Sequence, residues 1–329
     1  MKNIFDIQTE QDFESLALAT FRYQYENIEI YRKFVDYLKV NASKINSIEK
    51  IPFLPIEMFK NHKVVDQNFQ PDLYFQSSGT TQMNLSKHYI SDADFYEESI
   101  YKSFHQFIGK PEDFIFLGLL PSYLEKQNSS LIYMVDFLMK KSDRPENGYF
   151  LYNHEELHLL LKKLKDKKVI LFGVSFALLD FLETVKEHNL SLESSENLTI
   201  IETGGMKGRK EEMTKDELLD ILKNGFKTER IYSEYSMTEL LSQAYSMGEN
   251  IYQCPNWMRI LIRNVEDPFS YEGVNKTGAV NIIDLANKHS CAFIATQDLG
   301  KIVDEEKKQF QVLGRIDHSD VRGCSLLVS

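Results

Sequence analysis

The fold is decided by residues 198–233, LTIIETGGMKGRKEEMTKDELLDILKNGFKTERIYS, in which two short apolar runs enclose a helical pattern. The candidate strands are Leu198 to Glu202 and Arg230 to Ser233, and Thr214 to Lys223 between them has helical spacing. A strand, a helix and a second strand at this repeat length predict a right-handed βαβ unit. Such a unit in turn predicts parallel strands that are covered by helices on both faces of the sheet.

The same alternation extends toward the N-terminus. Two further apolar runs are candidate strands, Phe114 to Leu120 and Val169 to Phe172. Stretches with helical spacing flank or separate these strands: Ser129 to Lys140, Glu155 to Leu164 and Phe176 to His188. We therefore expect an α/β fold built on a mostly parallel sheet.

Both ends of the chain depart from this alternation. The first 40 residues predict two helices, with Thr9 as the N-cap of the first. Residues 51–55, IPFLP, predict an extended connector because proline is not tolerated inside a helix. Three short apolar runs near the other end predict a small antiparallel or barrel-like unit: Val280 to Leu285, Ala292 to Thr296 and Phe310 to Leu313.

The composition is that of a compact globular protein, with 43% hydrophobic and 12% aromatic residues. The 38 Lys and Arg against 49 Asp and Glu give a net charge of −11, which disfavours nucleic acid and anionic membrane surfaces as partners. No apolar stretch approaches the roughly 20 residues that span a bilayer, and no signal peptide is evident, so we expect a cytoplasmic protein. The three cysteines, Cys254, Cys291 and Cys324, lack metal or disulfide spacing and predict free thiols.

Ligands of parallel α/β sheets bind beyond the carboxyl ends of the strands, so the polar loops there are candidate binding segments. The first has five consecutive small residues: Ser77, Ser78, Gly79, Thr80 and Thr81. Backbone N–H groups and hydroxyls in such a loop can face a polyphosphate, with Lys87 following six residues later. A solvated Ser/Thr turn is an equally good interpretation of this segment alone.

The second and third loops follow the two strands of the βαβ unit. Gly204 and Gly205 would let a flat ring lie against bare backbone, although an ordinary tight turn is favoured over that interpretation. Tyr235 to Glu239, YSMTE, runs into a helical pattern, so Thr238 and Glu239 would lie at a helix N-terminus that could meet phosphate and magnesium. A Thr cap followed by an acidic first-turn residue would give the same pattern.

The fourth segment contains Asp298 and, further on, Arg315 in GRID at residues 314–317. An aspartate can accept hydrogen bonds from both hydroxyls of a ribose, and an arginine can bind the same sugar or a phosphate. Each residue is common by itself. The ordered set of all four segments is not.

This ordered set resembles the adenylate-forming superfamily of acyl-CoA synthetases, luciferases and peptide-synthetase adenylation domains. The resemblance implies that Ser77 to Thr81 form the phosphate loop and that the Gly204-Gly205 pair lies beside adenine. It also implies that Tyr235 stacks on adenine, that Thr238 contacts the α-phosphate and that Glu239 holds Mg²⁺. The remaining implied contacts are to ribose, through Asp298 and Arg315. The phosphate loop departs from the usual pattern at Gln82, which replaces a glycine, and extra residues precede Lys87.

Within that superfamily the chain is similar to the LuxE-type acyl-protein synthetases, through residues 51–64, IPFLPIEMFKNHKV, and residues 314–324, GRIDHSDVRGC. This resemblance implies a fatty acid substrate, ATP and Mg²⁺, an acyl group carried on Cys324, and a partner acyl-protein reductase. It also implies the N-terminal-domain fold of these enzymes without the mobile C-terminal lid of larger relatives. We expect one domain over residues 1–329, made of a helical portion (1–50), an α/β nucleotide-binding portion (51–275) and a small β portion (276–329).

The sequence therefore favours an enzyme that activates a carboxylic acid as acyl-AMP and transfers the acyl group to a cysteine thiol. The catalytic residues in this reading are Cys324, Thr238, Glu239 and Lys87. Two alternatives stay open at this point. One is an acyl-CoA ligase that uses CoA as the acceptor, and the other is a non-catalytic nucleotide-binding protein.

Overall fold

The computed structural model describes residues 3–77, 85–121, 128–204 and 213–316. Its α-helices are α1 (Glu10–Asn27), α2 (Glu29–Tyr37), α3 (Met58–Asn61), α4 (Ala93–Phe107), α5 (Ser130–Ser142), α6 (His154–Lys163), α7 (Ser175–Glu187) and α8 (Lys215–Phe226). Its strands are β1 (Leu54–Pro55), β2 (Leu73–Gln76), β3 (Lys87–Ile90), β4 (Ile115–Leu119), β5 (Gly148–Tyr149), β6 (Val169–Val174), β7 (Leu198–Thr203), β8 (Ile231–Tyr235), β9 (Ala244–Ser246), β10 (Tyr252–Gln253), β11 (Met258–Arg263), β12 (Gly278–Asp284), β13 (Phe293–Asp304) and β14 (Gln309–Arg315).

One large mixed sheet organises the described chain, with twelve strands in the order β11-β12-β13-β14-β10-β9-β8-β7-β6-β4-β5 and β1 paired to β13. Strands β4 to β8 are parallel, and β6 and β7 are buried along their whole length. Beyond β8 the neighbours are antiparallel. The predicted α/β fold is confirmed. The predicted antiparallel unit is present too, and it continues the same sheet through β14 and β10.

Element by element, the long apolar patterns were interpreted correctly. All seven predicted strands and the four helices predicted between residues 129 and 223 lie within a few residues of their observed positions. Helices α3 and α4 and strands β2, β3, β5, β9, β10 and β11 were not predicted, although the buried residues of α4 have helical spacing and those of β11 alternate along the strand. The helix expected after Glu239 is wrong, because residues 240–243 have no regular secondary structure and Ala244–Ser246 is a strand antiparallel to β8.

The first helix begins at a capping box. Thr9 Oγ1 accepts from the N–H of Asp12 and the Asp12 carboxylate accepts from the N–H of Thr9, so the predicted N-cap is confirmed. Farther along α1, Gln24 is fully buried and its amide group donates to the carbonyl oxygens of Asn287 and Lys288. Helix α1 is therefore bound to the turn between β12 and β13, more than 260 residues away in sequence.

Strands β13 and β14 approach each other closely at a glycine. A Cβ added to Gly300 would lie 2.6 Å from the carbonyl oxygen of Gln311 on β14 and 2.9 Å from a methyl group of Val280 on β12. Only glycine permits that approach. The close pairing places Asp298 directly opposite Arg315.

Among the described residues, no helix has the length and hydrophobicity that crossing a membrane requires.

Candidate active site

Three residues from different parts of the sequence meet at the end of β8. The Tyr235 hydroxyl donates to Asp298 Oδ2 at 2.7 Å, and Arg315 Nε donates to Asp298 Oδ1 at 3.2 Å. Asp298 is largely buried, whereas 77% of the Arg315 side chain is exposed. A carboxylate with both oxygens oriented in this way, beside an exposed guanidinium, can recognise a polar ligand such as a sugar.

The ring of Tyr235 is held by two other aromatic rings. Tyr252 and Phe310 lie with their ring centroids 6.0 and 5.9 Å from that of Tyr235, both edge-to-face. Burial, followed by the nearby charge of Asp298, raises the pKa of Tyr235 well above its ordinary value. The Tyr235 hydroxyl therefore stays protonated at neutral pH and remains a donor to Asp298.

Glu239 lies four residues beyond Tyr235 and is buried. One of its carboxylate oxygens accepts from Ser86 Oγ, on the segment that leads into β3. Burial raises the pKa of Glu239, while the Ser86 hydroxyl and the charges of Arg315 and Lys60 act in the opposite direction. A buried carboxylate can serve as a ligand of a divalent metal ion.

The segment after Glu239 is held by a distant aspartate instead of by a helix. The Asp284 carboxylate at the end of β12 accepts from the backbone N–H groups of Leu241 and Ser242 at 2.7 and 3.1 Å, and from Ser242 Oγ at 2.6 Å. These N–H groups are therefore directed at Asp284 and not at a ligand. The expected helix N-terminus is thus replaced by an irregular segment, and its dipole is not available to a phosphate.

A histidine and an asparagine join Thr238 and Glu239 to β3. His88 Nδ1 lies 2.9 Å from the carbonyl oxygen of Thr238 and His88 Nε2 lies 2.9 Å from Asn287 Oδ1, so a neutral imidazole donates to one of these two acceptors and packs against the other. Asn287 Nδ2 donates to the carbonyl oxygens of Glu239 at 2.7 Å and Cys291 at 2.9 Å. Burial lowers the pKa of His88 to about 4, against the opposite effect of these two partners.

The phosphate-loop prediction falls only partly on described residues. The N–H of Ser77 donates to the carbonyl oxygen of Ser86, and Ser77 Oγ accepts from the N–H of Ser86, both at 3.1 Å, so the two ends of the loop lie together. Lys87 is exposed, with its ammonium group 5.6 Å from the centre of the Tyr74 ring. The structure does not bring Lys87 to Glu239 or Asp298.

Gly204 has a φ of +73°, a conformation that favours glycine. Six predicted site residues lie outside the described residues: Ser78, Gly79, Thr80, Thr81, Gly205 and Cys324.

Buried charge also lies at the ends of β7 and β8, where no motif indicated it. Glu202 accepts from Ser175 Oγ and pairs with the ammonium group of Lys215 at the start of α8. Burial acts to lower the pKa of Lys215, but Glu202 more than offsets this and the pKa is raised. Glu234 accepts from Thr203 Oγ1, and burial raises the pKa of Glu234.

Two of the three cysteines lie among the described residues. Cys291 is fully buried, and burial raises the pKa of its thiol to about 12. Cys254 is half-buried. Neither thiol is activated as a nucleophile. Cys324 lies outside the described residues, so its assignment as acyl carrier stays a prediction.

The sheet, the strand-end loops and the Tyr235, Asp298 and Arg315 cluster together define the fold of an adenylate-forming ligase. Solved structures of this class are similar to the chain. A 2-hydroxyisobutyryl-CoA ligase in complex with 2-HIB-AMP and CoA has a TM-score of 0.73 at 14% identity, covering 95% of this chain and 70% of the ligase. ATP-bound MatB from Rhodopseudomonas palustris has a TM-score of 0.55 at 14% identity, covering 77% of this chain and 49% of MatB.

The sequence comparison is more specific. The profile of the LuxE acyl-protein synthetases matches residues 4–90 and 127–329. The long-chain-fatty-acid–luciferin-component ligase of Aliivibrio fischeri is 21% identical over 337 aligned positions, covering 95% of this chain and 86% of that protein. The chain belongs to the LuxE acyl-protein synthetase family, which makes it an AMP-forming ligase.

Proposed function

We propose that this protein activates a fatty acid with ATP and carries the acyl group as a thioester on Cys324. In the first step a carboxylate oxygen of the acid attacks the α-phosphorus of ATP. The bond from that phosphorus to the bridging oxygen breaks, and pyrophosphate leaves. In the second step the Cys324 thiolate attacks the acyl carbon, and AMP leaves.

The observation that carries the proposal is the contact of Tyr235 and Arg315 with the two oxygens of Asp298. A ribose presents two hydroxyls side by side, and an aspartate fixed by two donors is positioned to accept from them. The Tyr235 ring offers a flat surface for the base, next to the glycine turn at Gly204. Arg315 is exposed and can shift from Asp298 toward the sugar or a phosphate.

Mg²⁺ fits the residues around Glu239. In phosphate-transferring sites Mg²⁺ is bound by one or two carboxylates together with substrate phosphates, so a single buried carboxylate is sufficient protein ligation. No group of three or more metal-ligating side chains occurs among the described residues, which is consistent with that arrangement. When bound, the ion would offset the charge that develops on the phosphates. Glu239 would hold it, and Ser86 would orient the carboxylate.

The remaining roles follow the loops. Residues 77–81 would bind the departing pyrophosphate through backbone N–H groups and hydroxyls, and Thr238 would contact the α-phosphate. Lys87 follows the loop and would approach the phosphates once its ammonium group leaves the Tyr74 ring. The acid substrate is proposed as a fatty acid because the relative in Aliivibrio fischeri is named for a long-chain fatty acid. A partner reductase would then take the acyl group from Cys324.

Activation is tested by ATP–pyrophosphate exchange with a panel of carboxylic acids of varied chain length. We expect exchange that depends on both the acid and Mg²⁺. Asp298→Ala should raise KM for ATP, whereas Asp304→Ala on the same strand, at its far end, should leave KM unchanged. Glu239→Gln should lower kcat because the amide keeps the shape of the carboxylate but not its charge. Exchange that no acid supports, or equal KM values for the two aspartate variants, would contradict the proposal.

Acyl transfer is tested separately with radiolabelled acid, ATP and Mg²⁺ on denaturing gels. The wild-type protein should acquire a label that hydroxylamine removes, which is characteristic of a thioester. Cys324→Ser should lose that label and keep pyrophosphate exchange. A label that persists in Cys324→Ser, or acyl transfer that requires added CoA, would instead favour a ligase with a different acceptor.

A further inference from the structure

The contacts of His88 and Asn287 form one continuous link between three segments. The His88 side chain lies on β3, directly after Ser86 and Lys87, and reaches Thr238 and Asn287. Asn287 lies in the turn between β12 and β13 and reaches the backbone of Glu239. Both side chains are completely buried.

The partners of this link are the backbone carbonyl groups of two consecutive residues, Thr238 and Glu239. Ser86, two residues before His88, donates to the Glu239 side chain at the same time. The segment that follows the phosphate loop thus contacts the Thr238–Glu239 segment through side chain and backbone together. The ring of Phe59 packs edge-to-face against His88 at 5.8 Å and limits its movement.

We propose that His88 and Asn287 are positioning residues that hold the Thr238–Glu239 segment against residues 86–88, the segment that follows the phosphate loop. This inference rests on the proposed function, in which the loop binds pyrophosphate and Thr238 and Glu239 act at the α-phosphate and the metal ion. Neither His88 nor Asn287 would touch substrate. Their contribution is that Glu239 is already held in place when ATP and Mg²⁺ arrive.

The expected loss of activity is taken from the contribution of supporting contacts in other metal sites. Removing a direct hydrogen-bond partner of a metal-ligating side chain commonly costs about 10- to 100-fold in metal affinity or activity, and His88 and Asn287 act one step further out, through the backbone of Thr238 and Glu239. We expect His88→Leu to lower kcat for pyrophosphate exchange about 10-fold or more and to raise the Mg²⁺ concentration for half-maximal rate. The KM for the acid should change by less than about two-fold, since the acid contacts neither residue.

Two further variants separate positioning from folding. His88→Asn retains an amide N–H near the place of Nδ1, so it should restore part of the kcat and of the Mg²⁺ response. His158→Leu is the matched control, because His158 on α6 is also buried and its Nε2 lies 3.0 Å from a backbone carbonyl oxygen, that of Ser191. It should lower the unfolding midpoint in urea and leave the Mg²⁺ dependence of exchange unchanged.

A second measurement does not depend on catalysis. The rise in melting temperature caused by ATP is measured with and without Mg²⁺. Wild type and His158→Leu should show an additional rise with Mg²⁺, and His88→Leu should lose most of that addition.

The outcomes distinguish this inference from the proposed function. If wild type shows exchange and His88→Leu matches it in kcat and Mg²⁺ dependence, the positioning role is refuted and the proposed function stands. If wild type shows no exchange with any acid, the proposed function fails. The Mg²⁺-dependent shift then decides on His88 alone: its loss in His88→Leu supports positioning, and an unchanged shift refutes it.

Discussion

Replacing Gly300 by alanine should destabilise the fold and disturb the candidate site together. The added Cβ would meet the backbone of β14 at Gln311 at 2.6 Å, a contact that no rotation of a side chain can relieve. Strands β13 and β14 must therefore separate locally, and Val280 on β12 blocks movement on the other side. Overpacking of this kind costs about 1–3 kcal/mol. We expect the free energy of unfolding to fall by about that amount.

The matched control is Gly273→Ala, at a position where an added Cβ meets nothing within 4 Å. It should leave stability unchanged or raise it by up to about 1 kcal/mol, since alanine restricts the unfolded chain. Urea unfolding, followed by circular dichroism, compares the two variants. Gly300→Ala should also raise KM for ATP, because Asp298 lies two residues away on the same strand. A Gly300→Ala protein as stable as Gly273→Ala would refute the inference that glycine is required for this strand pairing.

Three other perturbations test separate features. Iodoacetamide at pH 8 should leave Cys291 unmodified in the native protein and modify it in urea, because burial holds its thiol protonated. Mass spectrometry measures the modification, and rapid modification of the native protein would contradict this expectation. Glu10→Gln removes the ion pair with Arg259, whose N···O distance is 2.7 Å. Because Glu10 is mostly exposed, the free energy of unfolding should fall by less than about 1 kcal/mol, and by less still in high salt. Tyr235→Phe removes a hydrogen bond to a carboxylate, commonly worth about 1.5–3 kcal/mol, so KM for ATP should rise roughly ten-fold or more in exchange assays; an unchanged KM would show that the hydroxyl does not support nucleotide binding.

The parts of the fold that the sequence predicts are those with a local cause. Strands β6 and β7 are buried along their whole length because helices cover both faces, and the resulting mostly apolar runs can be recognised without knowledge of their neighbours. The helix predicted after Glu239 is wrong because residues 244–246 pair instead with β8 and β10 as a strand of the sheet. No local propensity can report such a competitor.

The candidate site divides in the same way. Tyr235, Asp298 and Arg315 stand in recognisable motifs, and the structure brings them together. The sequence indicates His88 only weakly. It is a polar residue in a short strand, and Ile90, two residues later on the same face, is buried. The sequence gives no indication of Asn287, because its contact with Glu239 forms only when the turn after β12 folds against that residue.

The attachment of α1 to the turn between β12 and β13 sets an order of events during synthesis. Gln24 leaves the ribosome early, but the carbonyl oxygens of Asn287 and Lys288 that it needs are made more than 260 residues later. At roughly 5–20 residues per second, the first helix waits on the order of 13–50 seconds with Phe13 and Phe21 uncovered. Its docking completes the same turn from which Asn287 reaches Glu239. The N-terminal helix is thus among the first segments translated and among the last to pack. Until it packs, folding depends on this exposed helix not aggregating.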